Sequence, residues 1–308
     1  MGLRLIVGRA GTGKTRYCVE SFIRELSKSP KGPSLILLVP EQATFQMEQQ
    51  LIKRGLKGFI RGQVLSFRRL AYRVFQEVGG ANRKPIDEVG KSILLRSILQ
   101  RKREALKLFQ KSGCEPGFID SLLGLFSELH SYDLTPKKLN FCCDILEKMG
   151  GQQFLAGKIH DLCLIFQELI EELEGLYIDP DDYLTLLSRQ ADKSELIKNA
   201  RIWVDGFAGF TPQEYDVLKK LMHLAEKVEI TLCLDGRELD REYTEEYLFY
   251  RTRETFDRLV DTARQEGIAL EEPLVLDSSQ TPGRFKDAPA LAHLEREFSR
   301  SVPHTFKD

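Results

Sequence analysis

The chain has 308 residues and a mass of 35.3 kDa. At about 150 residues per domain that is room for two domains, each able to bury its own core. Hydrophobic residues make up 42% and charged residues 30%, a globular balance that excludes disorder. With 45 basic and 46 acidic residues the net charge is −1, which excludes a uniformly basic nucleic-acid binder but leaves room for a local basic face.

The charge is uneven along the chain. Residues 51–104 hold 14 Lys/Arg against 4 Asp/Glu, a net of +10, and residues 1–50 carry +3, so the remainder carries −14. Such asymmetry points to an anionic partner on the basic side, or to a set of solvated helix faces. The six cysteines (Cys18, Cys114, Cys142, Cys143, Cys163 and Cys233) show no CxxC spacing, and several lie in apolar runs. They read as small buried hydrophobes in a reducing, cytoplasmic setting. The histidines make no metal-binding pattern, no leader precedes the first strand, and no apolar run approaches the ~20 residues of a membrane span.

In chain order, Leu3–Val7 is a short apolar run stopped by Gly8, the pattern of a buried strand. A glycine-rich loop follows, then a helix from Lys14 to about Lys28 and a loop at Ser29–Pro33. Ser34–Val39 is a second strand. Residues 44–54 are a helix with Phe45, Met47 and Leu51 as apolar positions. Gln63–Ser66 is a third strand, and Phe67–Val78 is helical. This alternation predicts a parallel sheet covered on both faces.

The pattern breaks at Gly79–Asn82. From about Asp87 to Leu187 helical periodicity dominates, with Phe118, Ile119, Leu122, Leu123, Phe126 and Leu129 on one face and Ile159, Leu162, Ile165, Phe166, Leu169 and Leu173 on another. Strand–helix alternation then resumes: strand Arg201–Asp205, helix Pro212–Glu226, strand Val228–Leu234, helix Glu245–Glu266 and a possible strand at Glu271–Leu276. Asp277–Ala288 is a Ser/Pro/Gly-rich linker ahead of a short helix near 289–300. The expected organisation is a discontinuous α/β domain, 1–82 with 196–308, interrupted by an all-helical insert, 83–195.

Gly8, Arg9, Ala10, Gly11, Thr12, Gly13, Lys14 and Thr15 match GxxxxGK[ST] between a strand and a helix. The glycines allow backbone N–H groups to turn inward as an anion nest. Lys14 is placed to reach terminal phosphates, the Thr15 hydroxyl to ligand Mg2+, and the helix to add its N-terminal partial charge. These eight residues are therefore the expected ATP site. The glycine spacing does not fit a dinucleotide fingerprint.

Hydrolysis needs a metal-side acid on a second strand and commonly a carboxylate that activates water. Asp205, at the end of IWVDGF, is the candidate acid, although Asp-Gly is also an ordinary turn. The next position is Gly206, where a catalytic glutamate would be wanted. Glu214 is an alternative base, but its helical placement favours the surface. Two residues ahead of the first strand leave no room for an adenine-clasping glutamine segment, so weak base recognition is expected unless another part of the chain supplies it.

Four segments carry a family resemblance: GRAGTGKT at 8–15, LVPEQATFQME at 38–48, VLSFRRLAYRVF at 64–75 and WVDGFAGFTPQEY at 203–215. Together they resemble the N-terminal region of the AddB (RexB) family, the B subunits of bacterial AddAB ATP-dependent helicase–nucleases, and the likeness extends along essentially the whole chain. It implies a P-loop α/β fold like domain 1A of UvrD-type helicases with a helical 1B-like insert. It implies single-stranded DNA contacts at 40–45 and 66–70, through Gln42, Thr44, Phe45, Ser66, Phe67, Arg68 and Arg69. Arginines there can neutralise phosphates, and Phe45 or Phe67 could stack on a base or belong to the core.

The resemblance further implies a helicase-like polypeptide whose own motor is degenerate, with weak or no ATPase, working beside an AddA-type motor and nuclease on DNA ends for recombinational repair. The family's nuclease domain and iron–sulfur cysteines fall beyond residue 308. The rival reading is a free-standing P-loop ATPase or kinase acting on a small molecule.

Overall fold

The first strand, β1 (Gly2–Gly8), is almost wholly buried, as a central strand of a covered sheet must be. In the computed structural model the described residues are 2–306 except 56–57, 59, 80–83, 112–114, 150, 175–176, 240–241, 277–282, 286 and 299–303. After β1 come α1 (Lys14–Lys28), β2 (Leu35–Leu38), α2 (Thr44–Lys53), β3 (Gly62–Leu65) and α3 (Phe67–Val78). A short strand, β4 (Lys84–Pro85), leads into α4 (Glu88–Arg101), α5 (Pro116–Ser131), α6 (Pro136–Met149), α7 (Gln153–Leu173), β5 (Tyr177–Ile178) and α8 (Tyr183–Gln190). The chain continues with β6 (Arg201–Val204), α9 (Pro212–Leu224), β7 (Lys227–Cys233), α10 (Tyr250–Gln265), β8 (Ala269–Leu270), β9 (Leu274–Val275) and α11 (Pro289–Glu297).

Two compact units result. The first comprises Met1–Val74, Ser188–Phe210 and Tyr215–Asp308; the second comprises Phe75–Leu187 with Thr211–Glu214. The first unit holds a seven-stranded sheet in the order β3-β2-β6-β7-β1-β8, with β9 also pairing with β1, and every pairing is parallel. Parallel strands put all their C-terminal ends on one edge. The segments that follow β1, β2, β3, β6 and β7 therefore emerge together, the placement in which open α/β sheets carry ligands.

The core of the first unit forms where α1 and α2 lay their apolar faces on the sheet. Cys18, Val19 and Phe22 of α1 meet Leu35, Leu37, Val64 and Trp203. Phe22 meets the Trp203 ring edge-on at 5.7 Å. On α2 the buried positions are Met47 and Leu51, four residues apart. Phe45 does not join them and is 66% exposed. It lies two residues from Met47, about 200° round the helix, so it faces the other way.

The second unit is helical. Ile119, Leu122 and Phe126 of α5 and Leu162, Ile165, Phe166, Leu169 and Leu173 of α7 line one core with Leu95, Ile98 and Leu99 of α4. Phe126 and Phe166 stack at 4.8 Å. The parallel β4–β5 pair is not legible as strand in the sequence, because two residues are too short for any period to show. Buried Asp161 accepts hydrogen bonds from the backbone N–H groups of Lys107, Leu108 and Phe109 at 2.7–3.0 Å, fixing the turn after α4.

Two boundaries differ from the sequence expectation. α10 begins at Tyr250 rather than Glu245. The preceding Tyr243, Tyr247 and Phe249 pack in a ring cluster with Tyr250, a local packing that competes with the helical pattern. Much of the expected linker 277–288 lies outside the described residues, but Gly283–Phe285 forms a 3-10 turn that packs on the glycine loop. Among the described residues no helix is long and apolar enough to cross a membrane.

Candidate functional site

The turn from β1 to α1 needs a backbone that only glycine adopts without strain. Gly11 and Gly13 have φ of +81° and +98°, and Gly13 caps α1 in the left-handed conformation. A Cβ on Gly8 would fall 2.4 Å from Thr12 Oγ1. The Thr12 hydroxyl donates to the Arg9 carbonyl at 2.9 Å, and the Lys14 ammonium curls back to donate to the carbonyls of Gly8 (2.6 Å) and Arg9 (2.9 Å). Burial pushes the Lys14 pKa down, against the opposing pull of Cys233, Asp205 and Glu295. The turn thus encloses a half-buried cation at the first turn of a helix, where Thr15 follows directly. Ala10 is exposed at its tip.

Asp205 follows β6, with β7 between β6 and β1. It is 4% exposed; its N–H continues the ladder to the Leu38 carbonyl, and Oδ1 accepts the Thr231 hydroxyl at 2.6 Å. Gly206 has φ +87°, and a Cβ there would approach Pro40 Cδ at 3.3 Å. Asp235, at the end of β7, is held below the usual carboxylate range by Arg237, whose backbone and guanidinium both donate to it.

Glu214 is neither a surface residue nor a free base. It is half-buried and closes a capping box: its carboxylate accepts the Thr211 N–H at 2.8 Å, and Thr211 Oγ1 accepts the Glu214 N–H at 3.3 Å. The TxxE spacing at 211–214 is the signal that reveals this role.

The segments after β2 and β3 meet through Glu41. Its carboxylate accepts the Ser66 hydroxyl and pairs with Arg69 at 3.3 Å. Phe45, Gln42, Arg68 and Arg69 are exposed. Thr44, Ser66 and Phe67 turn inward: Thr44 bonds back to the Glu41 carbonyl, and Phe67, 5% exposed, meets Phe207 and Phe210 edge-on. A stacking face at Phe67 is thereby ruled out in this conformation, and Phe45 remains the outward ring.

The basic segment 51–104 is divided between the two units. Residues 51–74 belong to the first unit and 75–104 to the second. Many of its charges have structural partners. Arg61 donates to the carbonyls of Glu25, Ser29 and Pro33; Arg54 pairs with Glu20; Lys91 with Asp179 and Asp181; Arg101 with Glu168 and Glu172. Arg68 and Arg69 are exposed, and Arg69 also lies 3.9 Å from Glu48 on the helix that carries Phe45. Sequence reasoning also missed Thr231, Glu41 and Glu295, because their partners are remote in the chain.

The sequence profile of the family described as "ADDB, N-terminal" matches residues 5–295. The chain belongs to the ADDB N-terminal family. Among its relatives, the B subunit of the ATP-dependent helicase/deoxyribonuclease of Desulforudis audaxviator is 50% identical over 307 residues, 99% of this chain and 26% of that protein. The Moorella thermoacetica protein of the same name is 48% identical over 302 residues, covering 97% of this chain and 26% of the relative. A Bacillus cereus counterpart is 40% identical over 302 residues, 97% of this chain and 25% of that protein. The chain thus spans about a quarter of the length of these ADDB relatives.

Proposed function

We propose that this chain is the ATP-binding, DNA-contacting, helicase-like part of the B subunit of a heterodimeric ATP-dependent helicase/deoxyribonuclease that processes DNA ends for recombinational repair, with a degenerate motor. In this reading residues 1–82 and 196–308 act as a UvrD-type 1A-like P-loop domain and 83–195 as a 1B-like insert. The partner is an AddA-type motor and nuclease polypeptide, the substrate single-stranded and duplex-end DNA, and the setting cytoplasmic.

The glycine loop fits a triphosphate. The loop holds a half-buried ammonium on the carbonyls of Gly8 and Arg9, two acceptors that it would trade for phosphate oxygens. Gly8–Thr15 would hold ATP, with Thr15 and Asp205 on the Mg2+ side. Bound Mg2+ supplies positive charge to the terminal phosphates.

The observation that carries the degenerate motor is Gly206. Its left-handed φ and the crowding by Pro40 disfavour any side chain at the position where a water-activating glutamate is wanted. Of the two bases that a small-molecule kinase reading would use, Asp205 and Glu214, the second is engaged in its capping box. Fluorescent-ATP titration of the wild type and Lys14→Ala tests the site: equal affinity refutes it. DNA-stimulated turnover as fast as a working helicase's, within the ~1–10^3 s−1 typical of enzymes, refutes the degenerate motor.

A further inference from the structure

Arg9, a variable position of the glycine loop, reaches into the C-terminal part of the same unit. Its Nε donates to Glu295 Oε1 at 2.7 Å and its Nη2 to the Glu295 carbonyl at 2.5 Å. Its Nη1 lies 3.5 Å from Asp235 Oδ2, and its guanidinium sits 5.7 Å from the centre of the Phe249 ring. Only 12% of the Arg9 side chain and 19% of Glu295 are exposed, so the pair is largely screened from water. A second tie lies two residues on. The Phe285 ring packs on Gly11 so closely that a Cβ there would come within 2.9 Å of Phe285 Cε2.

We infer that Glu295 and Phe285 are positioning residues of the glycine loop, acting through Arg9 and Gly11, so that docking of Gly283–Phe285 and α11 on the loop and occupancy of the loop by ATP favour each other. This inference rests on the ATP reading above. Arg9 and Gly11 bracket the backbone whose N–H groups form the nest. Fixing both points removes conformations that the loop would otherwise lose on binding, and this is the physical content of preorganisation. Linkage makes the effect reciprocal: what docking does for ATP affinity, ATP does for docking.

The test uses the whole 308-residue chain with fluorescent ATP and Mg2+. Glu295→Gln and Phe285→Leu should each weaken binding about fivefold or more, the low end of ordinary coupling between sites. Arg9→Gln should weaken it similarly, and Arg9→Gln with Glu295→Gln together no further than either alone. Thermal melting checks that each variant is folded. Hydrogen exchange reads the reciprocal effect, which a merely structural contact would not show: Mg-ATP should slow exchange of the 291–297 amides in the wild type and not in Arg9→Gln. Wild-type affinity in folded Glu295→Gln and Phe285→Leu, with no ATP effect on those amides, overturns the inference and leaves the ATP site standing. No ATP binding by the wild type overturns both.

Discussion

Thr231 donates its hydroxyl to Asp205 Oδ1 at 2.6 Å, joining the middle of β7 to the end of β6. Both side chains are buried, so the bond orients a carboxylate rather than decorating a turn. Thr231→Val keeps the shape and removes the donor. Hydrogen bonds to charged groups contribute about 1.5–3 kcal/mol, and denaturant unfolding should show a loss in that range. Asp205→Asn keeps an acceptor for Thr231 while removing the charge. It should leave the melting temperature nearly unchanged and flatten the Mg2+ dependence of ATP affinity. An unchanged Mg2+ dependence would take Asp205 off the metal side.

Lys14 separates binding from stability. Burial lowers its pKa from 10.5, so the folded state carries the ammonium less willingly than the unfolded chain does. That cost is full at neutral pH, where both states are charged, and fades as pH rises through the lowered value toward 10.5. Lys14→Met should therefore cost little stability at about pH 7. The desolvation it relieves offsets the two carbonyl hydrogen bonds it removes, and any stability gain over wild type should shrink as pH rises toward 10.5. ATP affinity should fall about 10- to 100-fold, the removal of one or two charge-assisted hydrogen bonds of about 1.5 kcal/mol each. Calorimetric melting and ATP titration of the same sample read both effects.

What carries a period or a motif within a short window is legible in the sequence. The strand–loop–helix at 2–28, the buried strands β2, β6 and β7, and the apolar faces of α5 and α7 all carry their periodicity locally. The capping box at Thr211 and Glu214 is local too, and its TxxE spacing outweighs the surface placement that helical position alone suggests for Glu214. The illegible part depends on pairs far apart in the chain: Arg9 with Glu295, Asp205 with Thr231, Ser66 with Glu41. The summed charge of 51–104 misleads for a related reason, since many of its cations are matched by carboxylates or carbonyls elsewhere in the chain.

Asp161 gives the helical unit a pH signature. Burial alone would raise its pKa, but three backbone N–H donors and His160 outweigh that and hold it below the ordinary value of 3.8. A depressed carboxylate contributes stability that is complete above its unfolded pKa and is lost as pH falls through the folded value. Asp161→Asn should destabilise at neutral pH by about 1.5–3 kcal/mol, since an amide offers one acceptor where three donors converge. The difference from wild type should stay constant down to about pH 4 and then shrink at lower pH, the ordinary carboxylate range being the upper edge of the window. Urea unfolding at several pH values measures it.

Phe45 and Phe67 sit on neighbouring segments with opposite exposures, 66% and 5%, which lets one pair of substitutions separate DNA binding from packing. Phe45→Ala removes an outward ring and little else, so stability should hold within about 0.5 kcal/mol. If the ring stacks on a base, single-stranded DNA affinity should fall by about 1–3 kcal/mol. Phe67→Ala empties the space beside Phe207 and Phe210 and should cost about 3–5 kcal/mol of stability. Arg68→Glu and Arg69→Glu should flatten the salt dependence of binding by roughly 0.7 in the log–log slope for each phosphate no longer neutralised. Arg69→Glu should also loosen the 40–45 segment, because Glu41 then faces a repulsive charge where it had an ion-pair partner. Fluorescence-anisotropy titrations of short single strands at several salt concentrations, with melting curves on the same proteins, decide the matter. Unchanged affinity and slope in Phe45→Ala and Arg68→Glu would show that this edge of the sheet does not carry the DNA.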